Sequence, residues 1–200
     1  HATSMVGTAR RLAAMRDQWA GTVMLVGQPA EERVGGAKAM IADGLYERFG
    51  VPSAALAFHV SSAGPAGKVG LSGGQIASSA DTVDIIVHGI GAQGASPHNG
   101  KDPVYMAAPI VVAHQGLVSR ELAPLEPGVV TVGSIHGGTK HNIIPREVRL
   151  QLTVRADSVE TRQKLLDGIV RISRGVGFTN GLPEELLPEV VVSSEYTLPT

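Results

Sequence analysis

Two carboxylates and one imidazole follow two short apolar segments of this 200-residue chain. Glu31 and Glu32 come after the apolar run 23–26, and His59 comes directly after a second run, 54–58. Continuous apolar runs of this length are typical of buried parallel strands, whose carboxyl ends meet at one edge of a sheet. We therefore expect the three side chains to lie close together. Carboxylates and imidazoles bind divalent cations, and a further carboxylate can act as general base, so the spacing indicates a metal site.

The same residues also fit an interpretation without chemistry. Paired acidic residues before a helix complement the positive end of its dipole, and a histidine after an apolar run can be a hydrogen-bonded core residue. On residue types alone, both interpretations of Glu31, Glu32 and His59 stay open.

The elements expected to position these residues form a strand-helix-strand unit. A 3.6-residue apolar period predicts a first helix over residues 4–16, and a second helix is expected over 36–41, between the two apolar runs. Because a helix joins them, the strands at 23–26 and 54–58 should run parallel with a right-handed crossover. Short, glycine-rich strands are expected over 67–80.

A second pattern begins near residue 80. Asp102-Pro103 is a favourable helix start, and Asp157 with Glu160 resembles a capping box, whereas Pro109 inside the first helix conflicts with helix geometry. The order of elements is β-α-β-β-α-β, the ferredoxin-like arrangement of one sheet covered by two helices. The predicted elements are strand 81–88, helix 103–120, strand 129–135, strand 147–155, helix 157–175 and strand 189–193.

Composition limits the kinds of partner. The 17 lysine and arginine residues nearly balance the 18 aspartate and glutamate residues, and no segment concentrates basic groups, so neither nucleic acid nor a membrane surface is expected as a partner. The chain has no cysteine, which excludes disulfides and thiolate ligands within it and favours a cytoplasmic location. It begins at His1 inside a helical pattern and ends at Thr200, so we expect it to be part of a longer polypeptide.

Several motifs resemble those of one enzyme group. Residues 28–40 read QPAEERVGGAKAM and are similar to the metal-site segment of the hippurate hydrolase and indoleacetyl-amino-acid hydrolase group of amidohydrolases, which is related to aminoacylases and carboxypeptidase G. Further motifs of the group follow in its order and spacing: AFHV at 57–60, SIHGGT at 134–139, NIIP at 142–145 and TVR at 153–155.

The resemblance implies a role for each residue of the predicted metal site. Glu31 would be the general acid and base, and Glu32 and His59 would be metal ligands. The implied cofactor is a pair of divalent metal ions in each complete site, zinc or manganese. The remaining ligands would lie before residue 1 and beyond residue 200, so we expect the isolated chain to be inactive.

The resemblance also implies substrate contacts in the second half of the chain. Residues 89–98 match a Gly-x-Gly-Gly-His-Gly-Ala-x-Pro-His loop, with Gln93 where the histidine stands. In the group, that histidine reaches into the active site of another subunit and supports the oxyanion; a glycine-rich turn without function is the alternative. Asn142 and Arg155 match substrate-contact positions, and Arg155 would bind a free carboxylate. Arg155 could equally be a solvated charge, and His98, His136 and His141 are expected to be polar loop residues.

We therefore predict an α/β chain with two domains. Residues 1–79 would be part of a parallel-sheet catalytic domain, 80–195 an α+β ferredoxin-like dimerisation domain, and 196–200 the return to the catalytic domain. Helix 103–120 and the neighbouring edge strand would form the two-fold contact of a homodimer.

The hypothesis for function is metal-dependent hydrolysis of the amide bond in N-acyl amino acids. One alternative is a non-catalytic dimerisation or binding module, or an inactive homologue marked by Gln93. A serine or cysteine nucleophile is disfavoured, because cysteine is absent and no Gly-x-Ser-x-Gly segment follows a strand.

Overall fold

The structure is a computed structural model that describes residues 1–31, 34–62, 64–71 and 73–200. The chain forms two compact units, His1–Leu71 and Ser72–Thr200. The division precedes the predicted boundary at 79, because residues 76 and 77 already pair with the end of the second unit. The backbone N–H groups of Ile76 and Ala77 donate to the Thr200 carbonyl at 2.7 and 3.0 Å.

The first unit contains three helices: α1 (Ala2–Ala14), α2 (Gly36–Ala42) and α3 (Leu45–Phe49). Both predicted helices are present, but the two predicted parallel strands are not: among the described residues of this unit, none belongs to a strand. The apolar side chains of these segments are exposed, as Leu25 at 50% and Leu56 at 93% show. A strand buried on both faces needs covering elements, and the described part of this unit supplies too few of them.

The second unit is an antiparallel sheet covered by two helices. The sheet order is β3-β5-β1-β6, and a separate ribbon joins β2 to β4. Because β1 and β3 are both antiparallel to β5, they are parallel to each other, as the predicted β-α-β-β-α-β order requires. The elements are β1 (Asp81–His88), β2 (Ala92–Gln93), α4 (Pro103–Gly116), β3 (Gly128–Gly137), β4 (Ile143–Ile144), β5 (Glu147–Ala156), α5 (Val159–Thr179) and β6 (Glu189–Val192).

Alternating side chains produce this sheet. In β1 the buried residues are Val83, Ile85 and Val87, and in β5 the residues from Val148 to Val154 alternate in the same way. These side chains pack under the apolar faces of α4 and α5 in one core. The opposite face of the sheet is therefore left without a helix.

The helix ends follow their capping residues. The Asp102 carboxylate accepts hydrogen bonds from the N–H groups of Val104 and Tyr105. The capping residue of α5 is Ser158, which accepts a hydrogen bond from Thr161 N–H, so the prediction that Asp157 starts this helix is wrong by one residue. Pro109 does not break α4, because it lies on the exposed side of the helix. Proline has no N–H for the backbone carbonyl four residues earlier, and on this side that carbonyl can meet water. Helix α4 continues as a wider turn over Leu117–Glu121, and α5 passes the predicted end at Gly175. No helix among the described residues combines the length and apolarity needed to cross a bilayer.

A buried ion pair fixes the start of β1. Arg162 donates to both carboxylate oxygens of Asp81, with a shortest N–O distance of 2.6 Å, and the Asp81 side chain is fully buried. The Arg162 guanidinium also lies 4.4 Å from the centre of the Tyr196 ring. The pair raises the pKa of Arg162, chiefly through the hydrogen bond to Asp81. These contacts join β1, α5 and the segment after β6.

Candidate functional site

The predicted general base lies in a strained segment. Glu31 is exposed, and its carbonyl accepts a hydrogen bond from Val34 N–H at 2.9 Å. Ala30 and Val34 have positive φ angles of 49° and 59°, in the left-handed region that L-residues, and β-branched valine above all, avoid. Such strain is concentrated at functional sites in proteins. The predicted ligand Glu32 lies outside the described residues.

A backbone contact of His59 favours the tautomer that metal-ligating histidines use. Its Nδ1 lies 2.6 Å from the Val60 carbonyl oxygen, which can only accept, so Nδ1 carries the proton. In the neutral imidazole with this proton on Nδ1, the lone pair is on Nε2, and the side chain is exposed. The His1 ring lies edge-on to the His59 ring, with 5.2 Å between ring centres. The structure thus brings the start of the chain next to the predicted ligand.

The described side chains supply only some of the ligands that a borderline divalent cation needs. An imidazole with a free Nε2 is a normal zinc or manganese ligand. Among the described residues, however, no group of three or more histidine, aspartate or glutamate side chains is arranged to hold a metal ion. His59 therefore fits as one member of a ligand set.

Gln93 and Asn142 lie together on the β2–β4 ribbon. Gln93 pairs with Ile143 in the ribbon, and Gly94 N–H donates to the Asn142 carbonyl at 2.7 Å. A Cβ on Gly94 would stand 3.1 Å from that carbonyl, so glycine permits this close approach. Two exposed amide side chains therefore occupy one end of a small, hydrogen-bonded ribbon.

A backbone contact orients the Gln93 amide. Ala95 N–H donates to Gln93 Oε1 at 2.8 Å, and Ser96 N–H donates to the Gln93 carbonyl at the same distance. Because the side-chain oxygen is used as an acceptor, the NH₂ group is the part of the amide left to meet a ligand. Gln93 is thereby prepared as a neutral hydrogen-bond donor.

Arg155 lies apart from these two residues. It is opposite Val129 near the end of β5, whereas the ribbon adjoins the start of that strand. The eight residue-to-residue steps from Glu147 to Arg155 span about 27 Å at the usual rise of an antiparallel strand. Within one chain, Arg155 and Asn142 therefore cannot contact the same small ligand.

Three basic residues near the ribbon were not predicted as site residues. His136 is in β3 opposite Arg149 of β5, so the prediction that His136 belongs to a loop is wrong. Arg146 and Arg149 flank the start of β5 and line a groove with His136. The sequence contains one signal that could have indicated the two arginines as site residues: both lie within four residues of the NIIP motif. His98 lies in a short 3₁₀ helix, Pro97–Asn99, and His141 lies in a turn before β4.

Comparison with known proteins shows the family. The model of the peptidase dimerisation domain matches residues 76–178, more than half of the chain, and the chain belongs to this family. It is 37% identical over 191 residues to the hippurate hydrolase of Campylobacter jejuni, and the match covers 96% of this chain and 49% of that enzyme. It is 32% identical to the N-acetylcysteine deacetylase of Bacillus subtilis, over 92% of this chain and 48% of that protein.

A solved structure supports the same relationship. A dinuclear metal-binding peptidase of the M20 family from Bacillus subtilis matches with a TM-score of 0.71 and 28% identity, over 96% of this chain and 46% of that protein. The relatives are hydrolases, and the similarity extends beyond the dimerisation domain into the first unit. The chain spans about half the length of the curated relatives that it matches.

Proposed function

We propose that the complete protein is a metal-dependent amidohydrolase that cleaves N-acyl amino acids, with two zinc or manganese ions in each site. The observation that supports it best is His59, whose Nδ1 proton is held by the Val60 carbonyl while Nε2 is left for a cation. The similarity to hippurate hydrolase includes this segment, because it covers 96% of the chain.

Each residue has a defined task in this proposal. When bound, the metal ions would polarise the scissile carbonyl and make water a stronger acid. Glu31 takes a proton from the attacking water and returns it to the leaving amine. The NH₂ group of Gln93 donates to the substrate oxygen on which negative charge develops. Asn142 contacts the substrate beside Gln93. Glu32 and His59 hold metal, and Arg155 binds the carboxylate of the amino acid.

The protein would act as a homodimer. Helix α4 buries Met106 and Ile110 on one side, yet its other side exposes Tyr105 at 67% and Val112 at 72%. Strand β3 beside it is an edge of the sheet with unpaired backbone groups. A second copy related by a two-fold axis could cover both surfaces.

The dimer would also explain the distance between Arg155 and Asn142, because one active site could take them from different chains. The predicted cytoplasmic location belongs to the same proposal.

The test compares wild type with Glu31→Gln in the complete metal-loaded protein, with hippurate as substrate. Loss of the general base should lower kcat by about 10²- to 10⁴-fold. Glu47→Gln is the matched control, since Glu47 is an exposed glutamate of the same unit, in α3. Equal rates for wild type and Glu31→Gln would remove Glu31 from the mechanism.

A non-catalytic binding module is the second candidate, and Gln93 is the observation that favours it, because an amide cannot supply positive charge to an oxyanion. A complete protein that binds divalent metal, hydrolyses no N-acyl amino acid and gains activity with Gln93→His would support this candidate.

A further inference from the structure

A groove of about 670 Å³ lies at one end of the four-stranded sheet, on the face without helices. Its walls are the end of β3, the start of β5 and the β2–β4 ribbon. Ile143, Ile144 and Pro145 supply its apolar part. The groove therefore adjoins Gln93 and Asn142 through the strands to which they are attached.

The charges in the groove leave one guanidinium without an acidic partner. Arg149 lies 3.9 Å from the Asp84 carboxylate, which offsets its charge, and Glu147 contributes one negative charge to the lining. Among the described residues, no carboxylate oxygen lies within 4.0 Å of a guanidinium nitrogen of Arg146. An arginine beside apolar surface and without a partner is suited to bind an anionic group.

Arg146 is also held in place. Its carbonyl accepts a hydrogen bond from Gly89 N–H at 2.8 Å. A Cβ on Gly91 would stand 3.4 Å from Arg146 Cγ, so the side-chain stem packs closely over this glycine.

We propose that this groove binds an anionic substituent of the substrate, other than the α-carboxylate assigned to Arg155. Arg155 is too far along β5 to share one carboxylate with Arg146 in the same chain. The inference rests on the proposed amidohydrolase function and narrows its substrates. They are N-acyl amino acids with a second carboxylate, on the acyl group or on the amino-acid side chain, joined to it by a short apolar stem.

The test uses two pairs of substrates that differ only in charge. One pair is N-acetyl-L-glutamate and N-acetyl-L-glutamine, and the other is N-succinylglycine and its terminal amide. The complete metal-loaded protein should show a higher kcat/KM for the charged member of at least one pair. Arg146→Met should reduce that preference by about 10- to 100-fold, as expected for loss of a charge-assisted hydrogen bond.

Arg171→Met is the matched control, because Arg171 is an exposed arginine of α5, paired with Glu121 and not part of the groove lining. It should leave the preference unchanged. A preference that Arg146→Met does not alter, or no preference in either pair, would overturn the inference while leaving the hydrolase function intact.

A binding measurement separates this inference from the proposed function. Calorimetry with the same four compounds should show tighter binding of a charged member, and Arg146→Met should abolish the difference. This difference in affinity, in a complete protein that hydrolyses none of the four compounds, would contradict the hydrolase function and support anion binding in the groove. Equal affinity within both pairs would refute the groove.

Discussion

The backbone N–H of Ala95 donates a hydrogen bond to the side-chain oxygen of Gln93, with an N–O distance of 2.8 Å. This contact occupies the side-chain oxygen, so the NH₂ group is the part of the amide left as a donor. A glutamine amide has no proton that titrates in the physiological range, unlike the histidine found in this position of the resembling motif.

Substitutions at Gln93 should therefore change the pH dependence as well as the rate. In the complete protein, Gln93→Ala should lower kcat by about 10²-fold, the usual effect of removing one oxyanion donor. Gln93→His should be faster than wild type at low pH, since an imidazolium is a charged donor, and should lose that advantage as the pH rises through the imidazole pKa. The measurement is kcat/KM from pH 5 to 9. The same pH profile for wild type and Gln93→His would contradict this role.

The exposed side of α4 should control the oligomeric state. Val112 is 72% exposed, and an aspartate there would place a charge in the proposed dimer contact. Val112→Asp should therefore convert a dimer to monomer in analytical ultracentrifugation. Phe178→Asp is the control, since Phe178 is 74% exposed on α5, away from the proposed contact. A dimer that survives Val112→Asp would place the interface elsewhere.

Two glycines of α5 should respond oppositely to alanine. A Cβ on Gly168 would collide with the side chain of buried Leu117, whereas a Cβ on Gly175 would meet nothing within 4 Å. Gly168→Ala should lower the free energy of unfolding by about 1–3 kcal/mol. Gly175→Ala should raise it by about 0.5–1 kcal/mol, because alanine costs less entropy than glycine in a helix. Urea denaturation measures both, and equal effects would show that α5 does not pack on Leu117 this closely.

His114 should make stability fall in acid. The side chain is fully buried, its Nδ1 has no partner among the described residues, and its Nε2 lies 3.3 Å from Ser173 Oγ. Burial lowers the pKa of His114 below its ordinary 6.5, although the nearby Ile169 backbone opposes the shift. Below pH 6.5 the unfolded chain gains a proton that the folded chain does not, so the free energy of unfolding should decrease as the pH falls.

The measurement is urea denaturation at pH 7.5 and pH 5 for wild type and two variants. His114→Leu should show a smaller decrease than wild type, because it removes the buried titrating group. His141→Leu is the control, since His141 is an exposed loop residue, and it should behave as wild type does. An unchanged decrease in His114→Leu would assign the pH dependence to other groups.

The second unit was predictable because its information is local. Strands β1 and β5 alternate in polarity, Asp102 caps α4, and the connections allow few topologies. The β2–β4 ribbon was not predictable as structure, because two-residue strands have no period. The sequence nevertheless indicated Gln93 and Asn142 as candidates through their motifs.

The sequence by itself determined the order of the elements in the second unit, the buried faces of β1 and β5 and the family motifs, all of which depend on side-chain type and spacing along the chain. Only the tertiary structure decided that Gln93 and Asn142 share a ribbon, that Arg155 lies at the far end of β5, and that Arg146 lines a groove. The physical reason is that distances between strands depend on register and direction, which bring residues 93 and 142 together and separate 142 from 155. The residues 23–26 and 54–58 show the same limit, because an apolar run becomes a buried strand only where other elements cover it.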